Sequence, residues 1–123
     1  MARILSIEDD VDLQQVFAYV LKKKGWDVAF AYDGKDGLAK ALENKPDLVL
    51  LDMMLPGLNG LEVIKALKEN EPTRGIPVVV MTAYPGDEQF LKASIMAMGA
   101  VEYLAKPVHV DLLLETVERL LPR

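Results

Sequence analysis

Short apolar runs of strand length alternate along the chain with longer segments in which apolar residues recur every three or four positions. The short runs predict strands at residues 3–7, 27–31, 47–51, 77–82 and 100–104. In the third and fourth runs, residues 48–51 and 78–81 are apolar at every position. Such runs are typical of central parallel strands that helices cover on both faces.

Five apolar stripes with helical spacing lie between and after the predicted strands. The stripes are Leu13, Val16, Phe17, Val20 and Leu21; Leu38, Ala41 and Leu42; Leu61, Ile64 and Leu67; Leu91, Ile95 and Met98; and Val110, Leu113, Leu114, Val117 and Leu121. Gly25, Pro46 and Gly99 follow the first, second and fourth stripes, where helices are expected to end. Because each predicted strand is followed by a helix, we predict an α/β fold with a doubly wound, five-stranded parallel sheet.

The length and composition of the chain argue against several classes of protein. No linker or repeat divides the 123 residues, so we predict one domain over residues 1–123. The 14 basic and 19 acidic residues argue against direct binding of nucleic acid. The absence of cysteine excludes disulfides, thiol catalysis and cysteine-ligated zinc. No apolar run approaches 18 residues and no signal peptide is evident, so we expect no membrane segment and a cytoplasmic location.

Polar side chains follow four of the five predicted strands. They are Glu8, Asp9 and Asp10 after the first strand, Asp52 after the third, Thr82 at the end of the fourth, and Lys106 after the fifth. The carboxyl ends of parallel strands meet at one edge of a sheet, where ligands bind in this architecture. We therefore expect these side chains to converge, although Asp10 has an alternative role as the cap of the following helix.

This grouping of side chains suits one kind of chemistry. Clustered carboxylates favour a hard divalent cation, and few protein ligands with retained waters point to Mg²⁺. Asp52 follows four apolar residues, where a carboxylate is costly unless it is paired. An aspartate beside a metal can attack phosphorus and form an aspartyl-phosphate. Lys106 and Thr82 could then stabilise the phosphoryl oxygens by charge and by a hydrogen bond.

Taken together, these residues resemble the receiver domain of response regulators in two-component signalling. The resemblance covers essentially the whole chain. Its motifs are Glu8-Asp9, Leu50-Leu51-Asp52-Met53-Met54-Leu55-Pro56-Gly57, Asn59-Gly60, Pro77-Val78-Val79-Val80-Met81-Thr82-Ala83, Gly99-Ala100 and Tyr103-Leu104-Ala105-Lys106-Pro107. It implies a flavodoxin-like (βα)5 fold with strand order 2-1-3-4-5.

The resemblance also implies roles for individual residues. Asp52 is expected to be the phosphoacceptor. Asp9, Asp52 and the Met54 backbone carbonyl are expected to bind Mg²⁺, with Glu8 acting through a bound water. Lys106 is expected to pair with the phosphoryl oxygens, and its peptide bond to Pro107 is expected to be cis.

A switch and its partners follow from the same resemblance. The Thr82 hydroxyl is expected to move to the phosphoryl group, and Tyr103 to change rotamer with it. The fourth predicted helix, the fifth strand and the fifth predicted helix form the expected output face. A sensor histidine kinase or phosphotransfer protein is the expected upstream partner, and an output domain or protein the downstream one. The bulky Met54 and Tyr84 predict slow loss of the phosphoryl group.

Two other functions share this architecture. A phosphatase that used Asp52 as nucleophile commonly has an aspartate two residues later as acid and base, where this chain has Met54. A flavin-binding protein needs a Ser/Thr/Gly-rich loop after the first strand, and Glu8-Asp9-Asp10 would repel the flavin phosphate. We therefore expect a signalling module rather than an enzyme.

Overall fold

The computed structural model of the chain describes residues 2–83 and 86–121. Its strands are β1 (Arg3–Ile7), β2 (Asp27–Ala31), β3 (Leu48–Asp52), β4 (Val78–Thr82) and β5 (Glu102–Ala105). Its helices are α1 (Val11–Lys23), α2 (Gly34–Asn44), α3 (Gly60–Glu69), α4 (Glu71–Arg74), α5 (Glu88–Ala97) and α6 (Val110–Leu120). No helix in this part of the chain is long and apolar enough to cross a membrane.

The strands form one parallel sheet in the order β2-β1-β3-β4-β5. Ile7 at the end of β1 lies beside Ala31 in β2 and Leu51 in β3. Thr82 at the end of β4 lies beside Ala105 in β5. The strands therefore end together at one edge, which confirms the predicted fold class and strand order.

Apolar side chains fill both faces of the sheet. One face packs against α1 and α6, and its core is formed by residues such as Phe17, Leu21, Leu50, Leu113 and Val117. The other face packs against α2, α3 and α5, with Ala41, Leu51, Val63, Ile64 and Ile95 in its core. Every residue of β3 and β4 is buried, as expected of central strands.

Several features differ from the sequence-based expectations. The third strand begins at Leu48 rather than at residue 47, and there the Asp47 carboxylate accepts a hydrogen bond from the Arg3 backbone N–H at 2.8 Å. The fourth strand begins at Val78 rather than at residue 77, because Pro77 has no backbone N–H to donate to a neighbouring strand. The fifth strand runs from Glu102 to Ala105, since Gly99, at φ +114°, and residue 100 form the turn that ends α5.

The other differences concern helices. The sequence pattern does not predict α4, so the predicted fourth and fifth helices correspond to α5 and α6. A four-residue helix carries no periodic stripe that could reveal it. Three residues of the predicted apolar stripes, Val16, Leu42 and Leu61, are exposed. On α1, Gln14 is buried, whereas Val16 is 46 % exposed. Gly25, at φ +88°, follows the end of α1 and confirms the predicted stop.

Candidate functional site

Three carboxylates converge at the carboxyl edge of the sheet. Glu8 and Asp9 directly follow β1, and Asp52 is the last residue of β3. One oxygen atom from each of the three lies within 4.8 Å of the other two. Glu8 and Asp52 are buried, whereas Asp9 is exposed. The predicted convergence of these residues is therefore confirmed.

Lys106 brings a positive charge to the same cluster. It follows β5, and its Nζ donates hydrogen bonds to Glu8 Oε1 and to Asp52 Oδ2, the latter at 3.1 Å. The peptide bond between Lys106 and Pro107 is cis, as expected. A carboxylate at the end of an apolar strand needs a partner, and the Lys106 ammonium provides one for Asp52.

Backbone N–H groups satisfy the remaining carboxylate oxygens of the buried pair. The Met54 N–H donates to Asp52 Oδ1 at 3.0 Å, and the Asp10 N–H donates to Glu8 Oε2 at 3.1 Å. Both oxygens of each buried carboxylate are therefore engaged, which fixes the orientation of the two groups. The contact of Met54 with Asp52 is through its N–H. The expected role of its carbonyl as a metal ligand stays a prediction.

The electrostatics of the cluster follow from burial and crowding. Burial raises the pKa of the Glu8 carboxyl to about 7. Lys106 and the Asp10 N–H act against that rise, and Asp52 adds to it. For Lys106, burial alone lowers the pKa, but the hydrogen bond to Glu8 and the charge of Asp52 raise it overall. The cluster holds three carboxyl groups and one ammonium, which contacts Glu8 and Asp52, so it favours an additional cation. Its oxygen donors fit a hard divalent ion such as Mg²⁺.

Thr82 places a buried hydroxyl beside this cluster at the carboxyl edge. It ends β4 and has no exposed surface. Within residues 2–83 and 86–121, Thr82 Oγ1 is buried without a hydrogen-bond partner. An unsatisfied buried hydroxyl costs about 1–3 kcal/mol. The hydroxyl is therefore available to donate a hydrogen bond to a new acceptor.

Tyr103 lies on the strand next to Thr82. It is in β5 beside Val80 of β4, and it belongs to the buried cluster that contains Ile95 of α5. Burial raises the pKa of its phenol, and the charge of Glu88 at the start of α5 raises it further. The ring therefore lies on the α5 side of the sheet, close to the first turn of that helix.

Three further residues that the sequence analysis selected, Asp10, Met54 and Tyr84, are not among the carboxylates that the structure brings together. The Asp10 side chain accepts from the Leu13 N–H at 3.2 Å and caps α1, which confirms its alternative role. The Met54 side chain is 64 % exposed. Tyr84 lies outside the described residues. The roles of Glu8, Asp9, Asp52, Thr82, Lys106 and Tyr103 in binding or switching stay predictions at this point.

Gln14 is a buried polar residue that the sequence analysis did not select. It lies on the same face of α1 as Phe17 and Leu21, at spacings of three and seven residues. A polar residue in register with a buried stripe was the available signal. That signal is weak, because the sequence does not show which partners satisfy the amide.

Comparison with known proteins agrees with this geometry. The family model described as the response regulator receiver domain matches residues 4–118. The protein PilH of Pseudomonas aeruginosa is 38% identical over 121 residues, which are 98% of each chain. The response regulator ArlR of Staphylococcus saprophyticus is 37% identical over all 123 residues, and the chain spans 54% of its length.

A solved structure shows the same relationship in three dimensions. The chemotaxis response regulator CheY4 of Vibrio cholerae superposes with a TM-score of 0.89 at 30% sequence identity. The superposition covers 98% of this chain and 99% of CheY4. Sequence, fold and the residues at the carboxyl edge therefore lead to one assignment: this chain belongs to the response regulator receiver domain family.

Proposed function

We propose that this chain is a phosphorylation-dependent signalling switch whose phosphoacceptor is Asp52. The observation that carries the proposal is the setting of the Asp52 carboxylate. It is buried at the end of a central strand, between the Lys106 ammonium and the Met54 N–H, and beside Glu8 and Asp9. This arrangement orients a carboxylate at the edge of the sheet where ligands bind.

The contacts of Asp52 support a role as nucleophile. One of its oxygens attacks the phosphorus of a phosphodonor, and a new O–P bond forms. The bond from phosphorus to the leaving group breaks, and the leaving group keeps the electron pair. Lys106, already 3.1 Å from Asp52 Oδ2, lies where it can pair with the phosphoryl oxygens.

Glu8, Asp9 and Asp52 are the side chains that would hold Mg²⁺, with the Met54 backbone carbonyl as a further ligand and Glu8 acting through water. Mg²⁺ supplies positive charge that offsets the repulsion between the carboxylates and an incoming phosphate. Lys106 alone cannot balance three carboxyl groups and a phosphoryl group. The donor set therefore supports a requirement for the cation.

Thr82 and Tyr103 would transmit the change to the surface. The Thr82 hydroxyl is buried without a partner in the described residues, so it can donate to a phosphoryl oxygen. Tyr103, on the neighbouring strand, belongs to the same buried cluster as Ile95 of α5 and would follow that movement. The output face would then be α5, β5 and α6.

This role requires partners on both sides of the switch. A sensor histidine kinase or phosphotransfer protein would donate the phosphoryl group, and an output domain or protein would read the changed face. We propose no enzymatic activity toward other substrates. A phosphatase in this architecture commonly carries a carboxylate two residues after the nucleophile, and Met54 occupies that position.

Phosphorylation by a small donor tests the proposal. Incubation with acetyl phosphate and Mg²⁺ should add one phosphoryl group to the wild type, and mild base should remove it. Asp52→Asn removes the nucleophilic carboxylate and should abolish the adduct in intact-mass spectra. Asp33→Asn changes a helix-capping carboxylate and should label like the wild type, because asparagine caps equally well. An unchanged adduct in Asp52→Asn, or none in the wild type, would contradict the assignment.

A further inference from the structure

Gln14 of α1 has a buried side-chain amide that contacts the backbone carbonyl of Glu8, a member of the acidic cluster. Only 1 % of its surface is exposed. A buried amide is costly unless its polar atoms are hydrogen-bonded. We propose that Gln14 is a positioning residue of the cation site, because its amide fixes the backbone that carries Glu8 and Asp9. The inference rests on the proposed function, of which cation binding by these carboxylates is a part.

The amide of Gln14 joins three segments of the chain. Its Nε2 lies within hydrogen-bond distance of three carbonyl oxygens, those of Ser6 at 2.9 Å, Glu8 at 3.2 Å and Ala31 at 3.1 Å. The NH₂ group has two hydrogens, so one N–H is shared between two of these acceptors. Its Oε1 accepts from the Ser6 hydroxyl at 2.7 Å. The Ala31 carbonyl also accepts from the Glu8 N–H at 3.0 Å. α1 is therefore tied to the carboxyl ends of β1 and β2.

The surroundings of Gln14 accept one orientation of the amide. Three carbonyl oxygens surround its NH₂ group, and one hydroxyl donor faces its oxygen. Exchanging the oxygen and nitrogen would place an acceptor against three acceptors. An apolar side chain of the same length cannot replace these contacts. The site is therefore built for an amide at this position.

The contact with the Glu8 carbonyl links the amide to cation binding. That carbonyl belongs to the peptide unit that joins Glu8 to Asp9, just beyond the end of β1. A peptide unit is planar, so fixing its carbonyl also fixes its N–H and the two Cα atoms that it connects. Gln14 thereby sets the directions in which the Glu8 and Asp9 side chains leave the backbone.

The Asp52 carboxylate makes no direct hydrogen bond with Gln14. The Asp52 carboxylate is held by Met54 and Lys106, and the hydrogen bonds of Gln14 within the described residues go to other segments. Loss of the amide should therefore weaken cation binding and leave the nucleophile in place. If Gln14 only stabilised the fold, its loss would not weaken cation binding while leaving the reactivity of Asp52 unchanged.

The test measures Mg²⁺ affinity and phosphorylation rate in Gln14→Met, which keeps the length and approximate volume of the side chain. Changing a group that supports metal ligands typically costs 10–100-fold in affinity. We expect the Mg²⁺ Kd from calorimetric titration to rise about tenfold. The initial rate of phosphorylation by acetyl phosphate should approach the wild-type value at saturating Mg²⁺. Calorimetry is preferable to fluorescence because Trp26 precedes β2, at the opposite edge of the sheet.

Thr73→Val is the matched control. Thr73 is also fully buried, and its hydroxyl donates to the Leu67 carbonyl at 2.7 Å before the amino end of β4. The control loses a buried hydrogen bond far from the cluster, so it should lose stability yet bind Mg²⁺ like the wild type. All titrations are made at a temperature at which circular dichroism shows each variant folded. Equal weakening in both variants would overturn the positioning role.

The remaining outcomes separate the two proposals. If the wild type binds Mg²⁺ and Gln14→Met binds it with the same Kd, the positioning role alone is overturned. A wild type that binds no Mg²⁺ overturns the proposed function as well. If Gln14→Met does not fold, Ser6→Ala provides the same test, because it removes the hydroxyl that orients the amide. Ser6→Ala should raise the Kd by less than the tenfold expected of Gln14→Met, because the amide itself remains, and an unchanged value contradicts the proposal.

Discussion

The Glu8 side chain is fully buried. Its carboxyl group and that of Asp52 both pair with the Lys106 ammonium. Burial raises the pKa of Glu8 from 4.5 to about 7. A raised carboxyl pKa means that the folded protein favours the protonated form. The resulting stabilisation is complete below pH 4.5 and is lost as the pH rises through 7. In the absence of metal, Glu8 should therefore reduce the stability of the fold at alkaline pH.

We predict that Glu8→Gln removes this contribution to the pH dependence. With EDTA present, the free energy of unfolding of the wild type should fall relative to that of Glu8→Gln between pH 5 and pH 8, by on the order of 2 kcal/mol. Urea unfolding at several pH values measures the difference. The exposed Glu69 on α3 supplies the control, and Glu69→Gln should keep the wild-type slope. Parallel curves for wild type and Glu8→Gln would show the prediction to be wrong.

Single residues differ in how far the sequence reveals them. Asp52 and Thr82 could be selected because each ends a strand of nearly continuous apolar residues, so its place at the edge follows from the fold. The sharing of Lys106 between Glu8 and Asp52 could not be derived, since it joins residues 98 and 54 positions apart. The partners of Gln14 could not be derived either, because they are carbonyl groups of two strands.

At the scale of elements, β4, β5 and α5 form the unit through which the proposed switch would act. Thr82 ends β4, Tyr103 lies in β5, and both Tyr103 and Ile95 of α5 belong to one buried cluster. A hydroxyl that lacks a partner in the described residues contributes no hydrogen bond to the fold. Removing the Thr82 hydroxyl should therefore affect the proposed response to phosphorylation without lowering the stability of the fold.

We predict that Thr82→Val keeps or raises stability and loses the response to phosphorylation. Valine has the shape of threonine, so the free energy of unfolding should be unchanged or about 1 kcal/mol higher. Asp52 should still accept a phosphoryl group. NMR signals of Tyr103 and Ile95 should shift less than in the wild type when acetyl phosphate and Mg²⁺ are added.

Thr73→Val is the control for the stability measurement, because its hydroxyl is hydrogen-bonded to the Leu67 carbonyl. That variant should lose about 1 kcal/mol and keep the full NMR response. Two results would contradict the prediction: a loss in Thr82→Val as large as in Thr73→Val, or a full wild-type shift of the Tyr103 and Ile95 signals in Thr82→Val.

Elements with a strong pattern were predicted well. β1, β2 and the end of β4 match the predicted bounds, since their apolar runs coincide with ladder pairing. The errors fall where side-chain or turn contacts set the boundary, as at Asp47 and Gly99. α4 carries no periodicity, and its first turn contains Pro72. Its position depends on tertiary contacts such as that of Thr73 with Leu67.

For the whole molecule, the acidic cluster exists only when the chain is folded. Asp52 is brought to Glu8 and Asp9 by the pairing of β1 with β3. Crowding of these carboxyl groups raises the free energy of the folded state, and Lys106 offsets only part of that repulsion. A cation that binds this arrangement and not the unfolded chain stabilises the protein by mass action, by about 2.7 kcal/mol at one hundred times its Kd.

We predict that millimolar Mg²⁺ raises the melting temperature of the wild type relative to EDTA at equal ionic strength. Asp9→Asn removes one charge from the cluster, so it should melt slightly higher in EDTA, by a modest amount because Asp9 is exposed. It should gain less from Mg²⁺, because it has lost a charged oxygen ligand. Asp12→Asn, an exposed acidic residue in the first turn of α1, should respond to Mg²⁺ like the wild type. Thermal unfolding by circular dichroism over a series of Mg²⁺ concentrations measures all three proteins, and equal Mg²⁺ responses in Asp9→Asn and the wild type would exclude Asp9 as a ligand.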